Sequence, residues 1–302
     1  MRNAATSSQL ADGKSGLISG IAAYTMWGMF PFYFVATKQV PALEILAYRV
    51  LFSLPFGALI LVFRRQIAET LRAMATPKTL GLLTLAGIAL AANWGFYIWA
   101  VQHDQIFQGS LGYYINPLLY VVVGVLFFQE KLSRWQGAAI LLALIGVLIL
   151  TFYGGVFPWI SLVLAGTFTI YGVIRKAVNI GAMPGLMVEV VMLTLPAVAV
   201  IIFLSSQSAV SFGQLGRNMD LLLMLAGPIT VLPLLAFAYA ARRIKLSTLG
   251  VLQFIGPTLQ FCCAIYFGET FTVAHGWCFG LIWLGVAIFS FDAWRNRPVL
   301  VA

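Results

Sequence analysis

Residues 133–152 read SRWQGAAILLALIGVLILTF. After Arg134 no charged side chain appears before the run ends, and apolar types fill nearly every position whichever helical face they would occupy. A surface helix of a soluble domain keeps a polar stripe. This run has none. At about 1.5 Å of rise per residue, about 20 such residues match the roughly 30 Å hydrocarbon core of a bilayer. Ser133 followed three residues later by Gln136 is a capping-box pattern that starts the helix.

Runs of the same kind occupy 16–37, 42–63, 79–101, 108–128, 156–175, 184–204, 220–241, 247–268 and 273–292, with charges, Pro or Gly in the breaks between them. Hydrophobic types make up 61% of the 302 residues and charged types 9%. A soluble domain has roughly 45–50% and about 25%. It could not hide this much apolar surface, whereas a bilayer serves as its solvent. The reading is therefore an all-α membrane protein with ten transmembrane helices. The first run is too long for a signal-peptide core and is taken as the first span. Cys262, Cys263 and Cys278 all fall within apolar runs without a CxxC spacing and read as packing residues.

Lysine and arginine decide the orientation. Arg2, Lys14, Arg64, Arg65, Arg72, Lys78, Lys131, Arg134, Arg175, Lys176, Arg242, Arg243, Lys245, Arg295 and Arg297 fall at the N-terminus and in every second loop. Only Lys38 and Arg217 fall on the other side, and Arg49 lies inside a run. Both termini are expected in the cytoplasm, with the chain multi-pass in a bacterial inner membrane. The net charge of +9 is thereby explained by topology, and no nucleic-acid partner is expected.

The sequence also repeats itself. EKLSRWQGAAILLALIGV (130–147) aligns with ETFTVAHGWCFGLIWLGV (269–286). The alignment pairs Glu130 with Glu269, Ser133 with Thr272, Gly137 with Gly276, Gly146 with Gly285 and Val147 with Val286. Upstream, Leu111-Gly112 pairs with Leu249-Gly250, and Pro117 with Pro257, across a small gap. Five spans per half is an odd number, so the second copy enters the membrane from the opposite side, as in the inverted repeats of secondary transporters. The expected organisation is a cytoplasmic tail (1–15), a first five-helix repeat (16–152), a second (153–292) and a cytoplasmic tail (293–302).

The segments PALEILAYRV (41–50), SLGYYINPL (110–118), IYGVIRKAV (170–178) and LSTLGVLQFIGPTL (246–259) resemble the EamA repeat of the drug/metabolite transporter superfamily, with the nearer likeness to its RarD branch. The resemblance implies a ten-helix carrier in the bacterial inner membrane, and an exporter of amino acids, metabolites or drugs. RarD relatives are associated with chloramphenicol sensitivity.

Ionisable groups inside spans are costly and are functional candidates by default. Glu44, Arg49 and Glu189 are three such groups. Glu44 and Glu189 occupy related places in the two halves. Low-dielectric surroundings favour the protonated form of a carboxyl, which suits proton-coupled export. Either carboxylate could instead hold the bundle by a hydrogen bond or ion pair. Arg49 is suited to a substrate carboxylate, or equally to an acid or free carbonyls on a neighbouring helix. Tyr113, Asn116 and Tyr120 form one polar stripe, and Gln253, Gly256 and Gln260 another, beside Pro117 and Pro257. Proline kinks that expose carbonyls are expected there, with the stripes lining a midplane cavity. Asn93 and Tyr97 stand one turn apart and are candidates for the same cavity.

Trp27, Trp94 and Trp99 read as interfacial anchors or as aromatic walls of the site. Glu130 and Glu269 read as turn and cap residues, with Thr272 and His275 forming a looser capping box. Gly137, Gly146, Gly276, Gly280 and Gly285 read as close-packing positions. His103 and His275 lack ligand-spaced partners, so no metal is expected. No Walker-type motif occurs, so direct nucleotide drive and any other cofactor are not expected.

The expected partners are a small-molecule substrate, protons and membrane lipids, with a monomer and a homodimer both open. The rival classes are a membrane-embedded enzyme and a non-transporting sensor or subunit.

Overall fold

The computed structural model describes residues 2–129, 133–244 and 246–295, and all regular structure among them is helical. The helices are α1 (Arg2–Gly28), α2 (Phe30–Ala36), α3 (Ala42–Phe63), α4 (Ile67–Ala75), α5 (Pro77–Gln102), α6 (Ile106–Phe128) and α7 (Arg134–Phe152). They continue with α8 (Trp159–Ala177), α9 (Ala182–Ser206), α10 (Arg217–Ala241), α11 (Leu246–Leu252), α12 (Ile255–Tyr266) and α13 (Val273–Arg295). Glu130, read above as a turn residue, lies outside the described residues. Among the described residues, nine helical segments are long and apolar enough to cross a membrane, with Gly13–Ala36 counted as one across the α1–α2 junction.

The run at 247–268 departs from the single span expected of it. It forms two pieces, α11 and α12, that meet at Gln253 and Phe254. Pro257 is the cause: it has no N–H to give, and its ring clashes with the carbonyl four residues back, which is that of Gln253. Pro31 acts alike on the first run, which breaks at Met29. Pro117 leaves α6 continuous from Ile106 to Phe128. Packed neighbours let membrane helices keep one unpaired carbonyl of this kind.

Residues 64–78 contain a helix where only a charged break was expected. The nine residues of α4, IAETLRAMA, are mostly strong helix formers. Arg65, at φ 54°, turns the chain out of α3. Thr76, placed before Pro77, is extended and ends α4, since a residue preceding proline is pushed out of the helical region.

Helices pack across the two halves of the chain. α5 and α6 lie on α8, while α10 and α12 lie on α1. α3 packs on α9, α6 on α12 and α7 on α13. The α7–α13 contact depends on two glycines. A side chain at Gly146 would meet the Cys278 carbonyl at 3.0 Å, and one at Gly285 the Ala139 carbonyl at 2.9 Å. The other glycines read as packing residues behave differently: nothing lies within 4 Å of the Cβ position at Gly280, and only the Phe271 ring at 3.8 Å at Gly276.

Polar contacts close both ends of the bundle. At the end opposite the N-terminus, Lys38 pairs with Asp104 at 2.9 Å. There Glu269 accepts the Phe107 N–H at 3.1 and 3.2 Å, so it caps α6 rather than its own hairpin. The Ser133–Gln136 capping box forms, and Thr272 and His275 make the expected looser one.

Candidate functional site

The nine residues singled out from sequence separate into one central group and several outlying contacts. Arg49 of α3 is at the centre and is 2% exposed. Its Nε donates to Thr230 Oγ1 of α10 at 3.0 Å, and that hydroxyl donates onward to the Ala226 carbonyl at 2.7 Å. The guanidinium carbon stands 4.2 Å from the Trp94 ring centroid, 5.5 Å from that of Phe30 and 5.6 Å from that of Phe34. Rings at these distances stabilise a cation by about 0.5–2 kcal/mol each, more when desolvated. No carboxylate among the described residues lies within 4.0 Å of the guanidinium. The acid partner weighed for Arg49 is therefore absent among them.

Asn93 and Tyr97 share a face of α5, as their one-turn spacing requires, with Trp94 on the adjoining face. Asn93 Nδ2 donates to the Leu164 carbonyl at 2.8 Å and to Thr167 Oγ1 at 3.0 Å. Its Oδ1 accepts the Tyr113 hydroxyl at 3.0 Å. The rings of Tyr97 and Tyr113 lie 5.6 Å apart, and Phe34 stands edge-on to Tyr97 at 5.9 Å. The Tyr97 hydroxyl is buried and has no hydrogen-bond partner among the described residues. Arg49, Asn93, Tyr97 and Tyr113 thus form one polar centre walled by aromatic rings.

Asn116 extends this centre along α6 by accepting Thr169 Oγ1 of α8 at 2.9 Å. Below it, Pro117, Tyr120, Gly172, Lys176 and Gln253 line a cavity of ≈ 360 Å³. The two polar stripes therefore meet there, through Tyr120 from one and Gln253 from the other. Gln260 serves the α1–α2 break. Its Nε2 donates to the Trp27 carbonyl at 3.3 Å, the acceptor that Pro31 leaves without a donor four residues on. Its Oε1 is buried without a partner.

The two carboxylates fall at opposite ends and differ in kind. Glu44 is fully buried and fully engaged: Oε1 accepts the Ser211 N–H and Oε2 the Ser211 hydroxyl, both at 2.7 Å. It anchors the loop between α9 and α10. Glu189 is equally buried, yet neither oxygen makes a hydrogen bond among the described residues. Oε1 stands 3.5 Å from Arg175 Nη1, a charge pair without hydrogen-bond geometry. Gly87 of α5 packs directly on Glu189, where a side chain would meet Cβ at 3.3 Å.

Four residues of the site were not singled out from the sequence: Arg175, Thr230, Phe30 and Phe34. Arg175, counted there as a topological charge, turns inward to Glu189 and also donates to the Gly181 and Ala182 carbonyls at 3.3 Å. Thr230 is an isolated hydroxyl in an apolar run, between Pro228 and Pro233, and that isolation was the available signal. Phe30 and Phe34 carried no signal, because nothing distinguishes them from lipid-facing phenylalanines before the fold is known. Trp94 proves to be a wall of the centre. Trp99 stacks on His103 at 4.2 Å, and Trp27 packs on Tyr24 and Phe237.

A bundle of membrane-length helices around a buried, aromatic-walled polar centre has the build of a polytopic membrane transport protein. Comparison with known proteins bears this out. The EamA-like transporter family matches residues 14–152. Protein RarD of Salmonella typhi is 41% identical over 93% of this chain and 96% of its own. The uncharacterized transporter YojE of Bacillus subtilis is 38% identical over 94% and 96%. The chloramphenicol-sensitive protein RarD of Pseudomonas aeruginosa is 32% identical over 93% and 95%. A solved crystal structure shares the fold at a TM-score of 0.63 and 19% identity, over 94% of this chain and 99% of that one. The chain belongs to the EamA-like transporter family, in its RarD branch.

Proposed function

We propose that this chain is a secondary carrier that exports small organic solutes bearing a carboxylate, by alternating access in a bacterial inner membrane, with protons as the coupling ion. The observation that carries the reading is Arg49, a buried cation with aromatic walls and no carboxylate beside it among the described residues. A buried charge is costly unless paired, and cation–π contacts offset only part of that cost. A solute carboxylate completes the pair by bidentate hydrogen bonding. The rings of Trp94, Phe30 and Phe34 favour a solute with a flat apolar body. The cross-half pairing of helices supports two inverted five-helix repeats, which can rock about this centre.

Glu189 is the proposed proton site. Its carboxylate leans on Arg175, and Arg175 also holds the turn before α9. Protonating Glu189 would cancel that attraction and free Arg175, which links proton binding to movement at this end of the bundle.

The test is ligand-driven thermal stabilisation of the purified protein with aromatic amino acids and arylcarboxylates, each beside its carboxamide. Ligands that bind the folded state raise the melting temperature by mass action. The carboxylates should stabilise, their amides should not, and Arg49→Lys should weaken apparent affinity at least about tenfold, because lysine keeps the charge but not the fork. Equal stabilisation by acid and amide would remove the carboxylate reading.

A further inference from the structure

We propose that α4 is an anionic-lipid docking surface that ties the lipid headgroup layer to the α8–α9 turn. The helix divides cleanly by face. Thr70 and Ala73 are buried, and Ala73 packs with Val178 and Val188 in a small core shared with α5 and α9. Ile67 and Leu71, one turn apart, point the other way and are 44% and 60% exposed. Arg65, Arg72 and Lys78 are exposed beside this apolar stripe, and none of them pairs with a carboxylate among the described residues. Glu69, the acid of α4, is already engaged: Oε1 accepts the Gly181 N–H at 2.7 Å.

An exposed apolar stripe flanked by unpaired cations is the footprint of a helix lying in a membrane interface. Acyl chains would cover Ile67 and Leu71 while headgroup phosphates meet the cations. Charge complementarity selects an anionic lipid, each cation near such a surface strengthening binding about fivefold. Through Glu69 and Gly181, a lipid seated on α4 bears on the turn that Arg175 also holds.

The full-length protein in detergent is titrated with dioleoylphosphatidylglycerol or dioleoylphosphatidylcholine while its melting temperature is followed. Phosphatidylglycerol should stabilise it at lower lipid concentration than phosphatidylcholine. The triple variant Arg65→Gln, Arg72→Gln, Lys78→Gln should shift the phosphatidylglycerol midpoint by on the order of a hundredfold and leave the phosphatidylcholine curve in place. The control Arg134→Gln, Arg242→Gln should behave as wild type. Ile67→Ser with Leu71→Ser should weaken binding of both lipids. The proposal is overturned if the triple variant keeps the wild-type preference or if the control loses it equally. An equal shift from tail-free glycerol 3-phosphate would also overturn it, since the site would then be one for free phosphate.

Discussion

At the scale of single residues, carboxylates that look alike in sequence separate by their hydrogen bonds. Glu44 is saturated by Ser211, whereas Glu189 has a loose charge pair with Arg175 and the Tyr171 hydroxyl beside it, short of full hydrogen-bond geometry. Sequence reading placed both inside spans but had no means of telling them apart, because the partners lie 167 and 14 positions away. Glu269 gives a third case, outside the spans. Burial pushes its carboxyl from 4.5 up to about 7, against the opposing pull of the Phe107 N–H. Asp104, itself paired with Lys38, adds a smaller push in the same direction. A raised carboxyl favours the protonated native state, so its stabilising effect is full below about pH 4.5 and is lost as pH rises through about 7. The melting temperature should therefore fall between pH 5 and 7.5, and Glu269→Gln should flatten part of that slope. An unchanged slope would show that Glu269 does not titrate in this range.

At the scale of elements, the apolar runs were legible and their interruptions were not. A run of about 20 apolar residues predicts a span whatever it packs against. Whether a proline breaks it depends on neighbours, as Pro257 and Pro117 show in matching helices. The acceptor freed by Pro31 was invisible until Gln260 was seen to fill it. α4 was missed because nine residues are too few for a span and the charges around it read as a loop. Glycine spacing was half informative. Gly285 meets a backbone carbonyl, and Gly280 meets nothing. Gly285→Val should destabilise by about 1–3 kcal/mol through overpacking. Gly280→Ala should be neutral or slightly stabilising, since alanine is the better helix former. Thermal unfolding of the two variants checks the α7–α13 contact, and equal melting temperatures would contradict it.

At the scale of the whole molecule, the all-helical, multi-span build was legible in the length and apolarity of the runs. The proposed inverted repeat would pair α5 with α8 as it pairs α10 with α1, and both of these contacts form. The centre was legible in part. Arg49, Asn93, Tyr97 and Tyr113 stand out as polar groups in apolar runs, and the structure brings these four together. Their aromatic walls and Thr230 come from α2, α5 and α10, and no local pattern joins those elements.

The most direct test is counterflow of a labelled aromatic carboxylate in proteoliposomes, with and without an imposed pH gradient. The wild type should show saturable exchange, stimulated by unlabelled solute on the far side and driven uphill by the gradient. Glu189→Gln should keep the exchange and lose the uphill drive. Flux that neither saturates nor responds to solute on the far side would contradict the carrier mechanism. Uphill transport that survives Glu189→Gln would contradict the proton site.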